Sequence, residues 1–266
     1  MVFIKGVLFV DCLCLSTVCS LYSIMPRLSP FRARSLNWKG KRQFSSSNVS
    51  PTFFPYGKSD FESIIKSKKF FVDNSRYIRE FEDIGVNIIF TRPPRWGKTL
   101  LQSMFQKYYD VNTSPKLFKE LFGDLEIYKN ITPGARSFHV LPIDMTIVVN
   151  DDLHIIKRSM CNNIIVELKS FVRRYKIDGA DIYPDDANAS MQSVIDALRF
   201  QCPDAKLYIM IDEYDRFANK LMVENLDMYQ KMVVGTSGDP ASSPIRSFLE
   251  NIKVHHLISL IDVLYL

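Results

Sequence analysis

The chain has 266 residues, of which 47% are hydrophobic and 12% aromatic, so it can bury one sizeable core but not two large ones. Its formal net charge of +5 is unevenly distributed: residues 1–59 carry eight basic residues and one acidic residue, a net +7, which leaves −2 for residues 60–266. The slightly acidic remainder disfavours a nucleic acid as the main partner. Only Cys161 and Cys202 of the five cysteines lie outside the first 50 residues, which argues against a disulfide framework, and the absence of CxxC spacing argues against a cysteine-rich zinc site.

Residues 1–50 have the composition of a targeting leader. An apolar stretch at 7–24, interrupted by Asp11, has the length of a signal peptide or a short membrane anchor. Residues 25–50 are basic and serine-rich and contain no acidic residue, as in organelle transit peptides. The run Arg42-Gln43-Phe44-Ser45 is similar to the arginine-minus-three sites at which mitochondrial presequences are cut.

We therefore expect a mitochondrial protein, because translation from Met25 would give an ordinary presequence. A bipartite plastid leader starting at Met1, an uncleaved membrane anchor at 7–24 and a disordered extension are the alternatives.

Residues 51–266 are predicted to form one domain that opens with helices. The spacing of apolar residues predicts a helix over 61–71 with Asp60 as its N-cap, and a second helix over 74–84 that Gly85 ends. The run 86–90 is apolar and rich in β-branched residues, as in a strand buried on both faces.

The rest of the domain alternates helices with strands, which predicts an α/β fold with a mainly parallel central sheet. Helices are predicted over 100–109, 153–175, 190–201, 216–233 and 244–252. Strands are predicted over 137–148, 207–211 and 257–266, and surface loops over 178–188 and 235–240.

The loop between the strand at 86–90 and the helix at 100–109 carries a phosphate-binding pattern. It contains, in order, a glycine for the turn, a lysine for the β/γ-phosphate oxygens and a hydroxyl for Mg²⁺, although the usual first glycine falls on an arginine. A strand, a tight loop and a helix in succession form the setting that a P-loop needs. We therefore predict a nucleotide-binding loop made of Arg92, Pro93, Pro94, Arg95, Trp96, Gly97, Lys98, Thr99 and Leu100.

The strand over 207–211 ends in two acidic residues, which is the Walker B pattern. Asp212 is predicted to hold Mg²⁺ together with Thr99, and Glu213 to polarise the attacking water. The two motifs together predict ATP and Mg²⁺ as cofactors. Lys98 and Glu213 are the predicted catalytic residues, and Thr99 and Asp212 the predicted metal ligands.

Four segments resemble the AAA-ATPase-like proteins of the P-loop NTPase superfamily, relatives of which often carry a C-terminal PD-(D/E)XK nuclease-like domain. They are FPYGKSDF at 54–61, FVDNS at 71–75, FTRPPRWGKTL at 90–100 and IDEYD at 211–215. The family also lacks the first P-loop glycine. The resemblance implies a three-layer P-loop NTPase sandwich whose ATP hydrolysis drives a conformational switch.

The chain departs from the family pattern in its loop and towards its C-terminus. Pro94 and Trp96 stand where the family has arginine and phenylalanine, and the proline removes one backbone donor. Family members run on through a sensor strand, for which Ser259 and Asp262 are candidates here. We expect a fold that is truncated at the C-terminus, without a nuclease motif and without an arginine finger after Arg246.

The sequence thus predicts a protein that binds ATP, and it favours a Mg²⁺-dependent ATPase that uses hydrolysis as a conformational switch. The alternative is a non-hydrolysing nucleotide-binding or interaction remnant of a nuclease-associated ATPase. Expected partners are a nucleotide and a second copy of the chain or another protein, with a membrane involved only through residues 7–24. A nucleic-acid role is the third hypothesis.

Overall fold

The computed structural model describes residues 54–55, 57–84, 87–89, 96–146, 152–235, 243–256 and 261–265. The predicted leader, residues 90–95 and most of the predicted loop at 235–240 lie outside these ranges.

The described residues form helices and parallel strands in alternation. The helices are α1 (Phe61–Lys66), α2 (Tyr77–Ile84), α3 (Lys98–Tyr109), α4 (Pro115–Phe122), α5 (Leu153–Tyr175), α6 (Ala187–Gln201), α7 (Tyr214–Glu224), α8 (Leu226–Tyr229) and α9 (Pro244–His256), with a 3₁₀ helix at Glu126–Asn130 and a π-helical turn at Gln230–Val234. The strands are β1 (Asn87–Ile89), β2 (Phe138–Asp144), β3 (Lys206–Asp212) and β4 (Ile261–Tyr265).

The four strands form one parallel sheet in the order β1-β4-β3-β2. Their register aligns the carboxyl ends, because Tyr265 pairs with both Ile89 and Ile211, and Asp144 pairs with Asp212. The predicted α/β fold with a parallel sheet is confirmed. Ligands of such sheets bind at the carboxyl edge, where the loop after β1 and the Asp212-Glu213 pair both emerge.

Helices pack on both faces of the sheet. Alternate residues of β3 point to opposite faces, so Leu207, Ile209 and Ile211 join a core formed with α5, α6 and α9. Tyr208 and Met210 join a second core with α1, α3 and α4. This burial on both faces explains why β3 is an almost continuous apolar run rather than an alternating one.

Polar contacts fix α1 against α3. The Ser103 hydroxyl accepts a hydrogen bond from the Phe61 amide at 2.9 Å and donates to Asp60 at 3.2 Å. Glu62 forms ion pairs with Lys107 of α3 and with Lys66. Helix α3, which begins at the predicted nucleotide loop, therefore has support along its length as well as from the sheet.

Several boundaries differ from the prediction. Helix α1 ends at Lys66 rather than at residue 71, because Lys68 adopts a left-handed conformation (φ 51°) that a helix cannot contain. Strand β2 ends at Asp144 rather than at residue 148, and α2 begins three residues later than predicted.

Other elements were missed or divided. The predicted helix over 216–233 is divided at Asn225, which is extended and caps α8 through its side chain. Helix α4 and the following 3₁₀ helix were not predicted, although Ser114 followed by Pro115 is a typical helix start. None of the described helices is long and apolar enough to span a membrane.

Candidate functional site

Gly97, near the end of the predicted nucleotide loop, adopts a backbone conformation that residues other than glycine reach only with strain. Gly97 has φ 80° and is the N-cap of α3, where its carbonyl accepts from the Leu101 amide at 3.0 Å. Lys98 is the first residue of the helix, so the amides of the first turn have no partner within the helix. Free amides and the positive end of the helix dipole favour a bound phosphate at this point.

The structure brings the two predicted motifs together at the carboxyl edge of the sheet. Thr99, in the first turn of α3, donates a hydrogen bond from its hydroxyl to the Asp212 carboxylate at 3.5 Å, across 113 residues of sequence. Asp212 is the last residue of β3. A hydroxyl and a carboxylate side by side are oxygen ligands of the type that Mg²⁺ prefers.

The Asp212 carboxyl is buried, with 9% of the residue exposed. Burial is the main reason why its pKa lies above the usual range, and the charges of Glu213 and Asp144 raise the pKa further. The Glu213 amide, which donates to Asp212 at 2.8 Å, and the positive charge of Lys98 act in the opposite direction. A cation bound here would stabilise a carboxylate that the protein alone solvates poorly.

Glu213 follows β3 directly and turns the chain towards α7. It has φ 58°, a left-handed conformation that costs a non-glycine residue roughly 1–2 kcal/mol. This turn lets a strand be followed at once by a helix. It leaves Glu213 half-buried at the same edge as Lys98 and Thr99.

Asp144 is a site residue that the sequence analysis missed. It is the last residue of β2 and the register partner of Asp212, and its charge raises the pKa of Asp212. It also raises the pKa of Glu167 on α5, of which burial is the main cause. The signal in the sequence was an acidic residue within the predicted strand over 137–148. It was missed because the alternation of apolar residues continues through Met145 and Ile147, which suggested that the strand ran on past Asp144.

A comparison with protein families agrees with this arrangement. A family model described as "Predicted AAA-ATPase" matches residues 55–264. The chain belongs to the AAA-ATPase-like family. No curated protein and no solved structure matches the sequence.

Membership of the AAA-ATPase-like family supports nucleotide binding and a P-loop ATPase at the family level. The match also covers all four segments on which the resemblance was recognised, apart from the first residue of FPYGKSDF.

Some of the other predicted residues of this AAA-ATPase-like chain lie near the site, and others lie outside the described residues. Trp96 and Leu100 lie together with Gly97 along a small cavity beside α3. The other predicted loop residues and the sensor candidate Ser259 lie outside the described residues. These loop residues are Arg92, Pro93, Pro94 and Arg95.

The sensor candidate Asp262 does not lie at the carboxyl edge. It pairs with Tyr208, four residues before Asp212 on the neighbouring strand, which is about 13 Å along the sheet at ~3.3 Å per residue. Its strand, β4, does lie between β1 and β3, the strands that lead to the two motifs.

Proposed function

We propose that the protein is a Mg²⁺-dependent ATPase that uses ATP binding and hydrolysis as a conformational switch. The observation that carries the proposal is the contact between Thr99 and Asp212 at the start of α3, where the helix offers free amides. Walker A and Walker B residues meet in this way when they serve one nucleotide.

The residues fit Mg²⁺ held jointly with a nucleotide. Mg²⁺ in proteins is bound by one or two oxygen ligands together with substrate phosphates and water. The Thr99 hydroxyl and the Asp212 carboxylate supply such oxygens from two elements whose positions are set by the core. When bound, Mg²⁺ would neutralise the charge that develops on the phosphates.

The chain's own residues then have distinct tasks. Lys98 contacts the β/γ-phosphate oxygens, and the first-turn amides of α3 hold the phosphate in place. Glu213 orients and polarises the attacking water, a role supported by its position directly after Asp212 and by the effect of its charge on the pKa of Asp212. Membership of the AAA-ATPase-like family supports both the hydrolysis and the switch in this proposal.

ATP binding is tested with the full chain by titration calorimetry in the presence of Mg²⁺. Lys98→Ala is expected to abolish measurable binding, because its charge on the phosphates is not replaced. Lys116→Ala is the matched control, since Lys116 is exposed in the first turn of α4 and lies outside the site. Unchanged ATP affinity in Lys98→Ala would overturn the proposal.

Hydrolysis is separated from binding by Glu213→Gln. An ATPase loses phosphate release in this variant but keeps ATP affinity, because the glutamine still fills the space and does not touch the phosphate cradle. The non-hydrolysing alternative predicts ATP binding without phosphate release in the unsubstituted protein.

We also propose a three-layer P-loop sandwich, on the grounds that helices cover both faces of the parallel sheet. Mitochondrial import through the leader is a further proposal, supported by the composition of residues 25–50. Residues 1–50 fused to a fluorescent protein should enter mitochondria. Import into plastids or retention at another membrane would refute this.

A further inference from the structure

A small cavity of about 60 Å³ opens beside the first two turns of α3. Gly97 is one of its lining residues, so the cavity adjoins the amides to which the phosphates are assigned. Apart from Gly97, the lining residues come from α3 and from the segments that precede it. Helix α3 contributes Leu100, Leu101 and Met104, and the preceding segments contribute Phe71, Asn74 and Trp96.

The two aromatic residues that line the cavity, Phe71 and Trp96, offer a stacking surface. Trp96 is 56% exposed although it directly precedes the phosphate-binding turn. Phe71 packs edge-on against the buried Phe61, with ring centroids 5.4 Å apart, which holds its ring in place. An exposed indole beside a triphosphate site suits the flat face of a nucleobase.

The segment that carries Asn74 is held rigidly from both sides. The Asp73 carboxylate accepts hydrogen bonds from the amides of Ser75, at 2.8 Å, and Glu126, at 2.7 Å. The buried Ser75 hydroxyl accepts from the Ile127 amide at 3.1 Å. Residues 73–75 are therefore anchored to the 3₁₀ helix, and Asn74 is presented from a fixed backbone.

Asn74 is a lining residue of the cavity, and its side chain forms no hydrogen bond with any residue that the structure describes. An asparagine amide has a donor and an acceptor side by side, which match the amino group and a ring nitrogen of adenine. Guanine presents two acceptors on the corresponding edge, its O6 and N7, and is better matched by lysine or arginine.

We infer that this cavity receives the base of the nucleotide, and that Asn74 selects adenine over guanine while Trp96 stacks on the ring. The inference rests on the proposed function, which assigns the phosphates to Gly97, Lys98 and Thr99. A cavity of about 60 Å³ has room for small groups and not for a whole nucleotide. It therefore accepts the edge of a purine, and the face of the ring remains available to Trp96.

The test measures dissociation constants of the full chain for ATP, GTP and inorganic tripolyphosphate with Mg²⁺. The protein should bind ATP about tenfold or more tightly than GTP, because one matched pair of hydrogen bonds to a base gives about that discrimination. Asn74→Ala should remove the preference, and Asn74→Lys should shift it towards GTP. Tripolyphosphate affinity should stay unchanged in both variants, which also shows that they fold.

Stacking is tested separately with Trp96→Ala. This variant should weaken ATP and GTP alike, by roughly tenfold, and leave tripolyphosphate unaffected. Two exposed residues that lie outside the cavity serve as controls: Asn162→Ala for the amide and Phe200→Ala for the aromatic ring. Neither control should change any of the three constants.

The contrary outcomes separate the inference from the proposed function. Equal affinities for ATP and GTP, or an ATP preference that survives Asn74→Lys, would overturn the role of Asn74. ATP binding no tighter than tripolyphosphate would overturn the base cavity but leave the phosphate site standing. Absence of binding for all three ligands would overturn the proposed function and the inference with it.

Discussion

Replacing Gly97 with alanine tests whether the left-handed turn at the start of α3 serves the nucleotide. A Cβ at this position would meet no atom within 4 Å, so the only cost is the backbone conformation at φ 80°. That cost is roughly 1–2 kcal/mol for a residue other than glycine. Because Gly97 is exposed, an alanine can relax out of the left-handed region without disturbing the core.

The bound triphosphate would then have to restore the original turn, and the same 1–2 kcal/mol appears as a loss of ATP affinity of about 5- to 30-fold. Gly179→Ala is a closely matched control, since Gly179 has φ 75°, also has no atom within 4 Å of the added Cβ and lies in a loop between α5 and α6. Calorimetric titration with Mg²⁺ and ATP measures both variants. ATP affinity that is unchanged in Gly97→Ala, or reduced equally in Gly179→Ala, would refute the reasoning.

Three further predictions concern stability, each measured by urea unfolding of the unliganded protein. Asp212→Asn should raise the free energy of unfolding at pH 7 but not near pH 3. The pKa of Asp212 in the folded protein is raised above 3.8, so its carboxylate lowers stability once the pH rises through that pKa. Equal stability of the variant and the original chain at pH 7 would contradict this. Tyr175→Phe should lower the free energy of unfolding by about 1–3 kcal/mol, because the buried Val140 amide loses the hydroxyl that accepts its hydrogen bond at 2.8 Å. A free energy of unfolding that does not change would show that another group accepts this hydrogen bond. Asp60→Ala should cost about 1 kcal/mol, since its carboxylate caps α1 by accepting from the Ser63 amide at 2.7 Å, and Asp60→Asn should retain most of the stability.

Much of the helical structure follows from local apolar spacing. Helix α5 has the predicted bounds, 153–175, because its apolar stripe is long and Asp152 caps its first turn. Strand β3 was predicted to within one residue at each end, because it is buried on both faces and therefore apolar throughout. The ends of other elements depend on single backbone conformations, such as that of Lys68, which apolar spacing does not encode.

The arrangement of the site required long-range information. Gly97, Lys98 and Thr99 were identified from their order in the chain, and Asp212 from the end of an apolar run. The contact between Thr99 and Asp212 exists because β1 and β3 lie in the same sheet, and no local sequence pattern predicts that arrangement. The position of Asp144 beside Asp212 depends likewise on the pairing of β2 with β3.

The cavity beside α3 was even less accessible to sequence analysis. Residues 71–75 were recognised as part of a family motif, but their role was not assigned. The structure divides that motif, because Asp73 and Ser75 anchor the segment and Asn74 lines the cavity. This division depends on the 3₁₀ helix at 126–130, a region in which no element had been predicted.

A double-mutant cycle on Thr99 and Asp212 tests most directly whether the two motifs form one nucleotide site. The affinity of the full chain for ATP with Mg²⁺ is measured for Thr99→Val, Asp212→Asn and the double variant. Both side chains are assigned to the same ion, so each single change should weaken binding and the double variant should lose at least about 1 kcal/mol less than the sum. Losses that add to within ~0.3 kcal/mol, or single variants that bind ATP as tightly as the original chain, would contradict a shared site.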